Sequence, residues 1–322
     1  LLRLVLRRLA QLAPVLLAIA TLNFLLLQLA PGDAADIIAG QSGHATPEMV
    51  AALRAEFGLD QPMWKQYLAY IGKLAVLDLG YSFQYQLPVS QLIFERLPAT
   101  LLLMVPALLL AVGLGVVMGV AAARRRGGIV DGAVSVGALV VYATPVFWLG
   151  LMLIVLFSIK LGWLPSGGMS DVRAAHQGAA YALDVSRHLV LPVVTMALFY
   201  VAIYTRLMRA SMLEVYSLDF ITTARAKGVP EGSIAWRHAA RNALLPVVTL
   251  AGLQFGHLLG GSVLVETVFG WPGLGRLVFD SLLQRDLNLL LGLLFVSSVV
   301  VVLANLAVDL LYGLLDPRIV HK

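Results

Sequence analysis

The sequence predicts an all-α membrane protein of six transmembrane helices, and three observations carry that prediction. The chain is 60% hydrophobic and only 13% charged, with a mean hydropathy of +0.87, whereas a soluble globular chain is about 45–50% apolar and about 25% charged. Six apolar runs are long enough to cross about 30 Å of hydrocarbon at about 1.5 Å per residue. Lys and Arg are distributed unequally between alternate loops, the pattern that sets topology.

The first run, Leu9 to Ala30, covers about 22 residues, longer than the apolar stretch of a signal peptide, about 7–15 residues. It is read as a retained first span. Five further runs follow, at Pro98–Ala123, Ala133–Lys160, His188–Arg209, Ala243–Val265 and Leu289–Leu314. With six spans, one side collects fourteen Lys and Arg, among them Arg124, Arg125, Arg126, Arg206, Arg209 and Arg225, against five acids. That side is expected to be cytoplasmic, with both termini on it. The basic pI of about 9.6 is thereby a matter of orientation, and nucleic acid is not expected as a partner.

The chain divides into an N-terminal region with the first span (1–30), an extracytoplasmic segment (31–97) and a five-span core (98–322). The outer segment carries helix signals. Thr46 is placed to cap a helix starting at Pro47, with Gly58 as its stop. Trp64, Tyr67, Leu68 and Ile71 recur at helical spacing, and Val89, Leu92, Ile93 and Leu97 do so again. Short amphipathic helices on the outer interface and a cap that meets a partner are both compatible with this pattern.

Within the spans, Gly115 and Gly119, and Gly252, Gly256 and Gly260, fall at every fourth residue, the spacing that lets helix backbones approach. They serve either packing within the bundle or a seam at which helices slide or a second subunit docks. Pro106, Pro145 and Pro192 are expected to kink their spans. Polar groups within lipid are costly and therefore functional candidates. These are His257, Gln254 and Asn305 for a pathway, together with Asn23, Gln28 and Asp309. Each is also compatible with hydrogen-bonded packing, the reading favoured for His257, and an Arg206 or Arg209 partner would make Asp309 structural.

No phosphate-binding loop of the GxxxxGK[ST] type occurs, nor an HExxH, GxSxG or paired-carboxylate arrangement. No catalytic residue and no metal site is assigned, and with no cysteine there is no thiolate site. The outer loop FGWPGLG, containing Trp271, Pro272 and Gly273, suits a tight turn; it is read either as that or as a contact near an outer mouth.

The most informative stretch is cytoplasmic, LDFITTARAKGVPEGSIAWRHAARNALLP at 218–246. Asp219 is a fair N-cap, Phe220 to Lys227 would form about two helical turns, and Gly228 would close them. Phe220, Ile221 and Ala224 fall on one face. After Pro230, the residues Ile234, Arg237, His238 and Arg241 follow at i, i+3, i+4 and i+7. A helix so short is marginal alone in water and needs a surface. A lipid-facing anchor explains the charge, whereas a docking helix for a cytoplasmic protein explains the capped shape as well.

TTARAKG at Thr222–Gly228, with Leu245-Pro246 downstream, resembles the EAA loop of ABC-importer permease subunits, of the dipeptide, oligopeptide and nickel branch. APGDAAD, FGLDQP, QYLAYI, DLGYS, ERLPATL, RHAARNALLPVVT, ETVFGWPGLG and LDPRI agree with that branch along nearly the whole chain. Thr222-Thr223 stands where the general pattern has Glu-Ala, and Leu-Pro falls several residues late; both are habits of the peptide branch. The resemblance implies a type I importer permease fold in a bacterial inner membrane. It implies ATPase coupling through about 218–242 by Asp219, Thr222, Thr223, Ala224, Arg225, Lys227, Gly228, Arg237 and His238. The implied partners are a second permease, two cytoplasmic ATPases and an extracytoplasmic solute-binding protein, besides membrane lipid and a peptide cargo. ATP and Mg²⁺ would be used by the ATPases, with no cofactor on this chain. Nickel or another small solute is the alternative cargo, and a self-contained carrier or a scaffold without transport the alternatives in class.

Overall fold

A computed structural model describes residues 2–29, 46–56, 58–174 and 176–315, and they are helical almost throughout. The APGDAAD stretch and the end of the LDPRI stretch lie outside the described residues. Helices cover all six apolar runs: α1 (Leu2–Leu29), then, after α2 (Pro47–Glu56) and α3 (Met63–Ala75), α4 (Val89–Arg124), α5 and α6 (Ile129–Ala143 and Val146–Leu153), α7 (Gly178–Tyr216), α10 (Ala240–Phe269) and α12 (Leu287–Leu315). The short α8 (Asp219–Ala226) and α9 (Glu231–Ser233) precede α10, and α11 (Leu274–Leu283) follows it. Among the described residues, α4, α7 and Leu287–Ala307 of α12 are each long and apolar enough to cross a membrane, and the α5–α6 pair is a fourth if counted as one span.

Three expectations change in detail. The third run is two helices meeting at 101° rather than one kinked span. Pro145 has no N–H to continue the helix and biases Thr144 toward extended backbone, which it adopts at φ −83°, ψ 127°. The Thr144 hydroxyl donates to the Val140 carbonyl at 2.8 Å, and α6 runs on as a π-helix over Ile154–Lys160. Second, the amphipathic stretch at 89–97 is the start of α4, which continues through Pro98 and Pro106. Third, a small hairpin precedes it, pairing β1 (Tyr81–Ser82) with β2 (Leu87–Pro88) antiparallel.

The chain forms two compact units, residues 1–96 with 278–303 and residues 97–277 with 304–322. In the first, α3 packs on α1: the Phe24 ring lies 5.3 Å from Tyr67 and 5.7 Å from Tyr70. The α2 signals hold as read, since Thr46 Oγ1 accepts from Met49 N at 3.3 Å and Gly58 sits at φ +68°. Asp286 joins hairpin to helix. Its carboxylate accepts a bond from the Ser82 hydroxyl and caps α12 at Leu289 N, 3.1 Å away. Val89 and Ile93 are buried against Gly292, where a Cβ would collide with Val89 Cγ1 at 2.5 Å.

In the second unit α7 is the innermost helix, with Ala202, Tyr204, Met208 and Met212 fully buried. Gly115 and Gly119 of α4 abut its backbone. A Cβ on Gly115 would lie 2.5 Å from Tyr204 Cβ, and one on Gly119 2.6 Å from Met208 Cβ and 2.9 Å from the Thr205 oxygen. This glycine pair therefore packs within the bundle. On another side, Arg209 of α7 grips Asp131 of α5 through two bonds, Nε to Oδ1 at 2.6 Å and Nη2 to Oδ2 at 2.7 Å. Gly127 N donates to the same carboxylate at 3.0 Å.

The far end of α10 is tied by Glu266, which is fully buried. Its Oε1 accepts from Thr100 Oγ1 at 2.8 Å and its Oε2 from Arg276 N at 2.9 Å, while Thr100 Oγ1 accepts from Leu274 N at 2.7 Å. Trp271, also fully buried, donates Nε1–H to the Ala99 carbonyl at 2.8 Å. Gly273 lies against the Glu266 carboxylate, and Gly275 lies so close to α10 that a Cβ would be 2.7 Å from Val263 N.

Two outcomes follow from this packing. Gly275→Ala must push α11 off α10 and should cost about 1–3 kcal/mol, read as a lowered melting temperature in detergent. The Arg209 guanidinium holds the Asp131 carboxyl well below its usual range, helped by the Gly127 N–H. A depressed carboxyl stabilises the fold above the ordinary value of about 3.9 and loses that contribution as pH falls below it. Melting temperature should therefore drop on acidification, and Asp131→Asn should remove that part of the drop while lowering the melting temperature near neutrality.

Candidate coupling segment and pathway residues

The segment after α7 is built by two tight turns. Ser217 and Leu218 carry the chain out of α7, with Ser217 N and Oγ both donating to the Glu214 carbonyl, at 3.1 and 2.7 Å. Leu218, extended at φ −82°, ψ 147°, occupies the N-cap of α8. Asp219 is thus the first helical residue rather than the cap expected, and it bonds no helix N–H. Its charge still suits the positive end of the helix. At the other end Gly228 takes a left-handed backbone at φ +74°. Gly228 N donates to Arg225 O at 2.9 Å and Val229 N to Ala224 O at 3.2 Å, the paired bonds of a Schellman stop.

One face of this hairpin is anchored. Ile221 is fully buried, Ala224 is 8% exposed, and Ile234, Ala235 and Ala239 are fully buried. The opposite face carries Thr222, Thr223, Arg225, Lys227 and Gly228, all exposed. Phe220, expected beside Ile221, points with this open face at 41% exposure. Ala224, expected as the small residue that a partner meets, is instead covered by its own chain. Arg225 Nε donates to Glu231 Oε1 at 2.8 Å, and its guanidinium lies 5.7 Å from the Tyr216 ring. The pair is half exposed and worth at most about 1 kcal/mol, but it closes the turn on itself.

Past Pro230 the helix is of π type over Ile234–Ala239. The α-helical stripe of Ile234, Arg237, His238 and Arg241 is therefore not one face. Ile234 is buried, Arg237 and Arg241 are exposed, and His238 is half buried. A π turn is wider than an α turn, so spacing read at 3.6 residues per turn misplaces side chains across it.

Of the polar residues within apolar runs, Asn23 is buried and donates to the Leu291 carbonyl at 3.2 Å. Gln28 bonds Gln66 at 2.9 Å. Gln254 and Asn305 are half buried. The side chains of His257 and Asp309 fall outside the described residues. Arg209 is committed to Asp131, and Arg206 stacks on the Tyr142 ring at 4.6 Å, beside Phe199, whose ring is stacked on Tyr142 at 5.8 Å. Of the outer-loop trio, Trp271 and Gly273 are buried and only Pro272 keeps part of its surface.

Two roles are not legible in the sequence. Arg206 counts with the loop charge, yet it lies about three turns inside α7 on the Tyr142 ring, and an arginine so deep in an apolar run is itself a signal. Glu266 ends an apolar run and reads as a boundary residue. The polar and glycine-rich turn that follows it was the sign that a buried carboxylate would have partners.

Residues 114–321 match the family described as "Binding-protein-dependent transport system inner membrane component", and residues 1–104 match its N-terminal counterpart. The dipeptide transport system permease protein DppB of Escherichia coli (strain K12) is 41% identical, over 100% of this chain and 99% of the relative. The di/tripeptide transport system permease protein DppB of Pseudomonas aeruginosa (strain UCBPP-PA14) is 39% identical, over 98% of each. In fold, the chain is similar to a chain of the inward-facing MetNI methionine ABC transporter, with a TM-score of 0.57 at 18% identity, covering 70% of this chain and 97% of the other.

The two faces of α8 should separate stability from interaction. Ile221→Ala should cost about 2–5 kcal/mol of stability, whereas Phe220→Ala should stay within about 0.5 kcal/mol. Gly228→Ala should cost about 1–2 kcal/mol for the left-handed backbone alone. Thermal unfolding of the three variants checks all of this.

Proposed function

The chain belongs to the inner membrane components of binding-protein-dependent transport systems, and from that premise we propose that it is the permease subunit of an ATP-driven importer of di- and oligopeptides. The observation that carries this reading is the 41% identity to a dipeptide permease along both entire chains. Supporting it is a hairpin at 218–242 with one buried and one open face, the shape that docking and force transfer require.

In this reading the six helical stretches are six spans, both termini and the α8 hairpin are cytoplasmic, and the membrane is a bacterial inner membrane. A second permease completes the pathway. Two ATPases, which use the ATP and Mg²⁺, dock on the open faces of the two coupling helices, and an extracytoplasmic binding protein delivers the peptide. Phe220, Thr222, Thr223, Arg225 and Lys227 are the residues an ATPase meets here, and Asp219 and Gly228 shape the helix that presents them. Arg237 and His238 continue the basic surface toward α10.

Closure of the ATPases moves α8 in this reading, and the packing of the hairpin supports a route for that displacement. Ile221 and Ala224 are packed, so α8 cannot slide independently of what covers them. The two-residue link to Tyr216 passes motion to α7, and the π turn passes it to α10. The bidentate Asp131–Arg209 pair makes α5 follow α7. Alternating access is then the movement of a packed bundle driven at one end. His257, Gln254 and Asn305 are proposed to line the pathway, and the loop at Trp271, Pro272 and Gly273 to shape its outer mouth, with Pro272 the part left to a partner.

Uptake of a labelled dipeptide by the complete complex in proteoliposomes tests the assignment. ATP-dependent uptake is expected, with little transport of nickel; transport of nickel in place of peptide overturns the cargo. Gly228→Asp and Arg225→Glu should abolish uptake while membrane insertion stays intact. Wild-type uptake and ATPase association in both variants would refute the coupling role.

A further inference from the structure

Beside the coupling helix lies a cavity of about 510 Å³ whose wall includes Arg124, Arg125, Arg126, Tyr216, Arg225 and Glu231. We propose that it binds a phosphate-bearing anion, either the headgroup of an anionic phospholipid or a soluble phosphate compound, and that the ligand pins α8 to the ends of α4 and α7. This site goes beyond the transport reading and does not depend on what the cargo is.

The charge is the first argument. Four guanidinium groups against one carboxylate leave a net of +3 around the cavity. The arginine run after α4 would alone be explained by the positive loops that orient a membrane protein. Orientation does not require Arg225, from a loop a hundred residues later, to close the same cavity. The acid that follows the arginine run in sequence is engaged elsewhere. Asp131 is taken up by Arg209 in a bidentate pair, so it does not neutralise the run. Among the described residues no carboxylate pairs with Arg124, Arg125 or Arg126.

Donor geometry is the second argument. Guanidinium forks match phosphate oxygens in pairs, and the cavity is far larger than a single carboxylate side chain fills. Tyr216 also lines the wall, and its hydroxyl has no hydrogen-bond partner within the chain. Arg225 uses its Nε on Glu231 at 2.8 Å, so Glu231 is the one group that opposes an anion there. Because α8 ends within this wall, an occupant bridging Arg225 to Arg124–Arg126 ties the coupling helix to two long helices.

The test uses the full chain in its assembled complex, delipidated in neutral detergent, with inorganic phosphate and short-chain phosphatidylglycerol as probes counted by native mass spectrometry. One saturable site per copy is expected for phosphatidylglycerol, for phosphate, or for both. Binding of phosphatidylglycerol alone assigns a lipid headgroup; binding of phosphate, with or without the lipid, assigns a soluble phosphate site. The triple variant Arg124→Lys, Arg125→Lys, Arg126→Lys keeps the loop charge and hence the insertion signal but loses the forks, and should bind about tenfold more weakly. Glu231→Gln should bind more tightly. Saturable binding of neither probe, or equal affinity across wild type and both variants, overturns the proposal. So does binding that appears only after the ATPases are stripped away, which would assign the cavity to a partner's side chain. Hydrogen exchange of residues 219–229 should slow when the probe binds, and unchanged exchange overturns the pinning of α8.

Discussion

The close packing around α7 is the constraint on which the rest of the second unit depends. Without side chains at Gly115 and Gly119, α4 comes to within contact of the α7 backbone. In lipid there is no hydrophobic gain from bringing helices together, so this contact must come from fit. The Asp131–Arg209 pair adds a directed bond on another side. A helix held on several faces moves as a unit with what holds it, and α7 runs by a two-residue link into the hairpin at 218–242.

The opposite end of α10 has a comparable device of different chemistry. Glu266 gathers Thr100, Arg276 N and the tight approach of Gly273 and Gly275, and Trp271 bonds back to Ala99. The ERLPATL and ETVFGWPGLG stretches, far apart in sequence, are the two halves of one buried lock. A carboxylate buried without partners would be costly; here each glycine that leaves room for it and each N–H aimed at it offsets that cost. The turn after α10 is tied to α4 for this reason, and it carries its aromatic residue inward.

Much of the fold is legible in the chain because lipid imposes simple rules. Every backbone group in the hydrocarbon must be satisfied locally, so apolar runs become helices, and all six runs are helical, the third as a broken pair. The stop at Gly228 and the start at Thr46 were legible because capping is a local chemistry of a few adjacent residues. Family membership was legible because the TTARAKG, RHAARNALLP and ETVFGWPGLG stretches occur together, which chance does not arrange. The 101° break at Pro145 was only half legible: a proline announces a disturbance, while its size depends on what the two helices pack against.

The sequence by itself determined the apolar helices, their order, the helix stop at Gly228 and the family, since each follows from local composition, spacing or motif. Tertiary structure alone decided which residues of the coupling hairpin face outward. Periodicity grouped Phe220 with Ile221 and Ala224, but the packing of the folded hairpin buried Ile221 and Ala224 and left Phe220 open. It also decided that Trp271 lies within the chain, that Arg209 belongs to Asp131, and that arginines from two loops surround one cavity. These are relations between segments distant in the chain, and no local rule of spacing encodes them.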